Sequence, residues 1–195
     1  MNIIRTEIKG IELELETAPG VFSPRAIDPG TRAMLTSVEL RLTDRVLDLG
    51  CGYGVVGILA ARLIGPDRVV MLDNSEPAVD LARRNAVRNG VASIRIQRST
   101  AFRDTDETGF TLILSNPPYH VDFSVPKEFI EKGFNRLVIG GRMVLVTKRR
   151  RWYEMKLRGI FGGVTIRSVD DYHVFTAEKR CAAYHLRAGP TPGSG

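Results

Sequence analysis

The sequence predicts an α/β fold: a mostly parallel sheet covered by helices on both faces. Three observations predict it. Between residues 45 and 161 short apolar stretches alternate with helical patterns, the order that yields parallel strands joined by crossover helices. Four glycines, at 50, 52, 54 and 57, crowd the junction between the first of these strands and the helix after it. Polar residues, Asp73 and Asn116, stand at the ends of two further apolar stretches, where open α/β sheets bind their ligands.

The elements follow in order. Residues 1–17 alternate, with Ile11, Leu13 and Leu15 set against Glu12, Glu14 and Glu16. A period of two predicts a half-buried antiparallel strand or hairpin. Residues 17–28 form a loop rich in Pro and Gly. A helix starts at Asp28, a good N-cap, with Pro29 at the first helical position. Strands are predicted at 45–49 (RVLDL), 68–72 (RVVML), 93–96, 110–114 (FTLIL), 142–147 (RMVLVT), 164–169 and 174–177. Helices are predicted at 55–64, 77–89, 126–139 and 152–161. Gly65, Gly90 and the Gly140-Gly141 pair end the first three. Residues 1–180 form one domain, of which 1–27 is a strand-and-loop extension, and 181–195 (ending AGPTPGSG) is a flexible tail.

Composition narrows the class. The chain has 195 residues, 43% apolar and 26% charged, ordinary globular usage that excludes a fibre, a coiled coil or a disordered chain. The longest apolar stretch, 55–61, is far too short to span a membrane. Arg5, Glu7 and Lys9 occupy the place of a signal peptide's apolar core. Two cysteines, Cys51 and Cys181, suit neither a disulfide framework nor a metal cluster, so no metal and a cytoplasmic setting are expected. The net charge of +6 is concentrated: Arg142, Lys148, Arg149, Arg150, Arg151, Lys156 and Arg158 share their window with a single acid, Glu154. Such a patch suits a polyanion such as nucleic acid.

The glycine turn, Asp48-Leu49-Gly50-Cys51-Gly52-Tyr53-Gly54, lets a ligand approach main-chain N–H groups. Asp73, at the end of the second parallel strand, is placed to accept both hydroxyls of a ribose. A nucleoside-containing cofactor follows. Gly52, Gly54 and Gly57 also match the dinucleotide fingerprint literally, which keeps a nicotinamide-dependent oxidoreductase open. Asp48 opposes it, because a carboxylate there repels a pyrophosphate and suits a cationic group such as an α-amino group or a sulfonium.

Ser115-Asn116-Pro117-Pro118-Tyr119 directly follows the strand at 110–114. Two prolines lock φ and donate no N–H, so nearby carbonyls are held rigid. Asn116 and the Pro117 carbonyl suit the two N–H bonds of a planar amine, with Tyr119 stacked on its ring. His120 follows the motif.

VLDLGCGYG, Asp73 and NPPY, in this order, resemble class I S-adenosylmethionine-dependent methyltransferases that modify planar amino groups. Gly20-Val21-Phe22-Ser23, Asp28 and Gly30-Thr31 narrow the likeness to the small methyltransferase domain of rRNA guanine-N2 methyltransferases. The likeness covers roughly residues 10–178. It implies a Rossmann-like class I methyltransferase fold, a seven-stranded sheet in the order 3-2-1-4-5-7-6 with strand seven antiparallel. It implies S-adenosyl-L-methionine as cofactor, held by Gly30, Thr31, Asp48, Gly50, Cys51, Gly52, Gly54, Asp73, Asn74 and Asn116. The family's Asp or Asn after strand three, which bonds the adenine amino group, is replaced here by Ser99-Thr100-Ala101. Ser99, Thr100 or a backbone N–H is then expected at the adenine. Asn116, Pro117, Pro118 and Tyr119 are the expected catalytic set, and Phe22 with Lys148, Arg149, Arg150 and Arg151 the expected substrate contacts.

The expected activity is methylation of an exocyclic base nitrogen in RNA, guanine N2 of rRNA first. Adenine N6 and a protein glutamine amide present the same NH₂ plane and stay open. Cations at 148–151 oppose the dipole of the helix that follows, so phosphate contact is the expected compensation. Trp152 and Tyr153 are expected to stack on an unpaired base. An exposed strand edge leaves room for a homodimer.

Overall fold

The amino-terminal alternation folds as a hairpin. In the computed structural model, which describes residues 2–118 and 122–185, β1 (Asn2–Ile8) and β2 (Ile11–Thr17) pair antiparallel as a separate two-stranded sheet. The turn at Lys9-Gly10 has positive φ at both residues, as a tight hairpin requires.

After α1 (Pro29–Ser37) the alternation predicted from sequence begins. It comprises β3 (Val46–Leu49), α2 (Val55–Ile64), β4 (Val69–Asp73), α3 (Glu76–Arg88), β5 (Arg95–Arg98) and β6 (Phe110–Ser115). It continues with α4 (Ser124–Arg136), β7 (Leu137–Thr147), α5 (Arg150–Phe161), β8 (Thr165–Val169) and β9 (Tyr172–Glu178). The seven strands from β3 onward form one sheet ordered β5-β4-β3-β6-β7-β9-β8. All neighbours are parallel except those of β9, which is antiparallel to both β7 and β8. Counted from β3, this is the expected 3-2-1-4-5-7-6 order with the seventh strand reversed.

The side-chain period of two divides the core between the faces. Val46, Val69, Met71, Leu112 and Leu114 pack with α1, α2, α3 and the hairpin residues Leu13 and Leu15. Leu47, Leu49, Val70, Leu72 and Ile113 pack with α4 and α5. Asp48 falls among apolar neighbours on the α2 side and is 2% exposed.

The hairpin is fastened by side-chain amides. On α3, Asn85 and Asn89 lie one turn apart, and each pairs with both backbone groups of one β2 residue. Asn85 Oδ1 accepts from Glu16 N at 2.7 Å, and its Nδ2 donates to Glu16 O at 2.9 Å. Asn89 does the same with Glu14, at 3.1 and 2.8 Å. Two amides on one helix face thus stand in for a neighbouring strand.

Several boundaries differ from the sequence reading, most of them by one or two residues. The helix expected at 126–139 runs Ser124–Arg136, and the strand β7 starts at Leu137. Leu137 already stands opposite Phe110, while Leu112 stands opposite Arg142, so residues 138–141 bulge past Thr111 alone. Lys179 holds this bulge. Its N donates to Gly141 O at 2.8 Å, its O accepts from Gly140 N at 2.7 Å, and its ammonium donates to Leu137 O at 2.8 Å. Sheet pairing there overrides the helical pattern. The strand expected at 93–96 is Arg95–Arg98, and α5 begins at Arg150 rather than 152. Of the tail expected at 181–195, residues 181–185 are described. Tyr184 packs edge-on against Phe134 at 5.1 Å and donates to Glu131 O at 3.0 Å. Among the described residues no helix is long and apolar enough to cross a membrane.

Candidate functional site

A cleft of about 270 Å³ opens at the carboxyl ends of β3, β4 and β6, where the sheet order switches. Its floor is the glycine turn. Gly50 N and Cys51 N both donate to Leu72 O, at 2.8 and 3.0 Å, which folds the turn back over β4. Gly52 adopts φ +55 and donates its N–H to Asp73 Oδ2 at 2.8 Å. Asp73 Oδ1 accepts from Ser75 N at 2.9 Å, so its carboxylate braces both the turn and the start of α3.

Asp48 sits beneath the turn. Its Oδ2 accepts from Gly57 N, in the first turn of α2, at 2.8 Å. A Cβ at position 57 would lie 2.5 Å from Met71 and 3.1 Å from Asp48, so only glycine lets helix and strand approach this closely. Burial pushes the Asp48 carboxyl up to about 7; the Asp73 charge adds to the rise, and the Gly57 N–H opposes it. Burial also pushes the Cys51 thiol well up, and its side chain packs into the apolar core beneath the turn.

The far wall is the end of β6. Ser115 is buried and donates to Leu49 O at 2.6 Å, tying β6 to β3 just before the motif. Asn116 Nδ2 then donates to Asp28 Oδ2 at 2.9 Å and to Thr31 Oγ1 at 3.0 Å. Asp28 also N-caps α1, accepting from Thr31 N at 2.8 Å, and accepts from the Tyr172 hydroxyl at 3.3 Å. Both amide hydrogens of Asn116 are therefore engaged, which fixes the orientation of its side chain at the cleft wall. Asn116 and Pro118 line the cleft. Tyr119 and His120 lie outside the described residues.

The third end lies between the loop after β5 and α4. Ser99, Thr100 and Ala101 line it from one side, and Val125, Glu128 and Phe129 from the other. The Ser99 hydroxyl donates to Ala101 O at 3.0 Å and accepts from Asp104 N at 3.3 Å, while Thr100 N donates to Asp104 Oδ2 at 3.0 Å. The Ser99 hydroxyl and the Thr100 N–H are thus already engaged within the loop itself.

Of the residues expected at the site, Phe22, Thr31, Asp48, Gly50, Cys51, Gly52, Asp73, Asn74, Ser99, Thr100, Asn116 and Pro118 all line one cleft. Gly30, Gly54 and Pro117 stand beside it. Gly30 is packed against Tyr172 rather than facing the cleft. Gly54, at φ +102, is the N-cap of α2. Sequence reasoning missed Glu128 and Phe129 as wall residues and Tyr172 as a brace of Asp28. Nothing in their spacing marks them, because α4 and β9 reach the site only through the fold.

Lys148, Arg149, Arg150 and Arg151 follow the carboxyl end of β7, on the same edge of the sheet but outside the cleft. The basic window is less bare than its sequence. Arg142 pairs with buried Asp44 at 3.5 Å, Lys156 with Glu131, Lys148 with Asp171 at 3.7 Å, and Arg150 and Arg158 with Glu154. The Arg149 guanidinium lies over the Phe123 ring at 5.1 Å, and Phe123 stacks on Trp152 at 4.4 Å. Tyr153 corrects the expectation: it is 2% exposed, packed between Trp152 and Phe175, and cannot stack on a base.

A seven-stranded sheet of this order, with a glycine turn and a carboxylate after its first two strands, defines a Rossmann-like methyltransferase fold. The chain belongs to the methyltransferase small domain family, whose sequence model matches residues 12–176. It is 35% identical to ribosomal RNA small subunit methyltransferase C of Chromohalobacter salexigens, over 89% of this chain and 54% of that one. It is 31% identical to the protein YbxB of Bacillus subtilis, over 82% of this chain and 83% of that one. Among solved structures it resembles the T. thermophilus 16S rRNA N2 G1207 methyltransferase (RsmC), solved in complex with AdoMet and guanosine. There the TM-score is 0.84 at 30% identity, over 92% of this chain and 50% of that one. The chain thus spans about half the length of the rRNA methyltransferases it matches.

Proposed function

We propose that this domain transfers the methyl group of S-adenosylmethionine to an exocyclic amino nitrogen of a nucleobase in RNA, guanine N2 of ribosomal RNA. The observation that carries the reading is the pinned Asn116. Its amide N is held by Asp28 and Thr31 at the wall of the cleft whose floor is Asp48 and the glycine turn. The names of the rRNA methyltransferase relatives support the substrate, and the cations at 148–151 on the same edge of the sheet support a phosphate-bearing partner.

The cleft fits the cofactor. Asp48 is a buried carboxylate with Oδ2 on Gly57 and no other hydrogen bond among the described residues, which suits a cationic α-amino group. Asp73 and Asn74 stand where a ribose would lie, and Leu49, Leu72 and Phe129 offer an apolar wall to a ring. Gly50, Cys51, Gly52, Thr31 and Asn116 complete the enclosure. Bound there, the sulfonium supplies an already activated methyl group.

The chain's own residues then orient and polarise the acceptor amine. The Asn116 and Pro117 carbonyls accept its two N–H bonds, which returns electron density to nitrogen as positive charge develops. Transfer to that nitrogen would leave S-adenosylhomocysteine, and the methylated amine would release one proton to solvent. Holding amine and methyl in line supplies the rest, up to about 7–11 kcal/mol in favourable cases. Phe22, exposed at the cleft mouth, and the cations at 148–151 hold the RNA. The same reading makes the protein cytoplasmic, where rRNA is modified.

The test is methyl transfer from radiolabelled S-adenosylmethionine into separated RNA, DNA and protein, with Asn116→Ala as control. Label in rRNA that falls by about 10²–10³-fold in the variant, with cofactor affinity kept, is the expected result. Label in protein favours the glutamine amide, label in DNA favours adenine N6, and equal loss of binding and turnover removes Asn116 from the chemistry.

A further inference from the structure

The cleft carries four carboxylates, and three have work assigned. Asp28 N-caps α1 and holds Asn116, Asp48 accepts from Gly57, and Asp73 braces the glycine turn. The fourth, Glu128, comes from α4 and lines the end of the cleft that faces Ser99, Thr100 and Ala101. Its neighbours fix it there. Lys132, one turn along α4, donates to Glu128 Oε1, and Arg103, from the loop after β5, reaches the same oxygen at 3.5 Å. The two cations hold the carboxyl below its ordinary range, so it stands ionised at neutral pH. Oε2 makes no hydrogen bond among the described residues.

The surroundings define what that oxygen would meet. The ribose end of the cleft is at Asp73, and the base attached to a ribose there extends towards Ala101, Val125 and Phe129, an apolar slot for a flat ring. The only donor on an adenine ring is its 6-amino group. The loop after β5 has already engaged the Ser99 hydroxyl and the Thr100 N–H with Ala101 and Asp104. On the proposed reading of the cofactor, we infer that Glu128 accepts the 6-amino group of the adenine, so that α4 supplies the recognition the loop after β5 does not.

A hydrogen bond to a charged acceptor corresponds to about 10- to 100-fold in affinity. The experiment is calorimetric titration of the full chain with S-adenosylhomocysteine and with its analogue bearing hydrogen at purine C6. The wild-type chain should prefer the amino compound by that factor. Glu128→Ala should lose it for the amino compound alone, leaving the analogue's affinity within about threefold, so that the preference disappears. Glu128→Gln keeps a carbonyl acceptor without the charge and should retain a preference of about 3- to 10-fold. A preference that survives Glu128→Ala, or a loss shared equally by both ligands, overturns the assignment while leaving the cofactor reading intact. Failure of the wild-type chain to bind either ligand overturns both. Thermal unfolding of the unliganded variants separates lost recognition from lost structure.

Discussion

Replacing Asp48 by Asn should stabilise the unliganded protein while abolishing tight cofactor binding, and pH should show why. In the folded chain burial raises the Asp48 carboxyl from 3.8 to about 7. An unfolded chain ionises near 3.8, so between about pH 4 and pH 7 the folded state holds a proton that the unfolded state has lost. Stability from this residue therefore falls as pH rises across that window and is level above it. A shift of about 3 units at about 1.36 kcal/mol each gives at most about 4 kcal/mol. The amide introduced by Asp48→Asn would keep a carbonyl for the Gly57 N–H and carry no charge. Urea unfolding of both proteins from pH 4 to pH 8 should show the variant's advantage absent near pH 4, growing to pH 7 and then constant. Binding of a cationic group should pull the carboxyl back to its ionised form, so wild-type affinity for S-adenosylmethionine should rise about tenfold per unit up to about pH 7. An advantage that does not change with pH would refute the argument, since it would mean that no proton distinguishes the two states at Asp48.

Two further outcomes test the scaffold. Asn85→Ala strips partners from Glu16 N, Glu16 O and the Tyr53 carbonyl at a site with no solvent exposure, and should cost about 2–4 kcal/mol in urea unfolding. Faster amide exchange in β1 and β2 should accompany it, and a cost under about 1 kcal/mol would show that apolar packing alone holds the hairpin. Gly30→Ala sets a Cβ 2.5 Å from the Tyr172 ring and 2.9 Å from Asp28 Oδ2, and should destabilise by about 1–3 kcal/mol. Tyr172→Ala in the same chain should recover much of that loss in thermal unfolding; an additive penalty would place the clash elsewhere.

Much of the fold is local and therefore legible. A strand such as 45–49 needs only a short apolar run, the turn after it only its glycines, and α1 only Asp28 and Pro29. Much of the cleft's lining was legible for the same reason: Asp48, Gly50, Gly52, Asp73 and Asn116 stand at or just after strand ends, and in a parallel sheet the carboxyl ends of the strands lie along one edge. Element boundaries failed where a distant partner decided them. Val138 and Ile139 continue a helical pattern, yet pairing of Leu137 with Phe110 and the ties from Lys179 stop α4 at Arg136. The charge run is less bare than its sequence for a similar reason: Asp44, Glu131 and Asp171 come from other elements to pair with part of it. Tyr153 read as a stacking platform because exposure is not written in a residue's type.

The class of fold and the residues that stand at its strand ends follow from the sequence, since periodicity, capping and turn geometry act over a few residues. Tertiary structure alone decided that Tyr172 braces Asp28, that Asp28 and Thr31 orient Asn116, and that Glu128 faces the loop after β5. These contacts join residues far apart in the chain, and no local preference encodes them; they exist only once the packed sheet and helices have fixed where each side chain can reach.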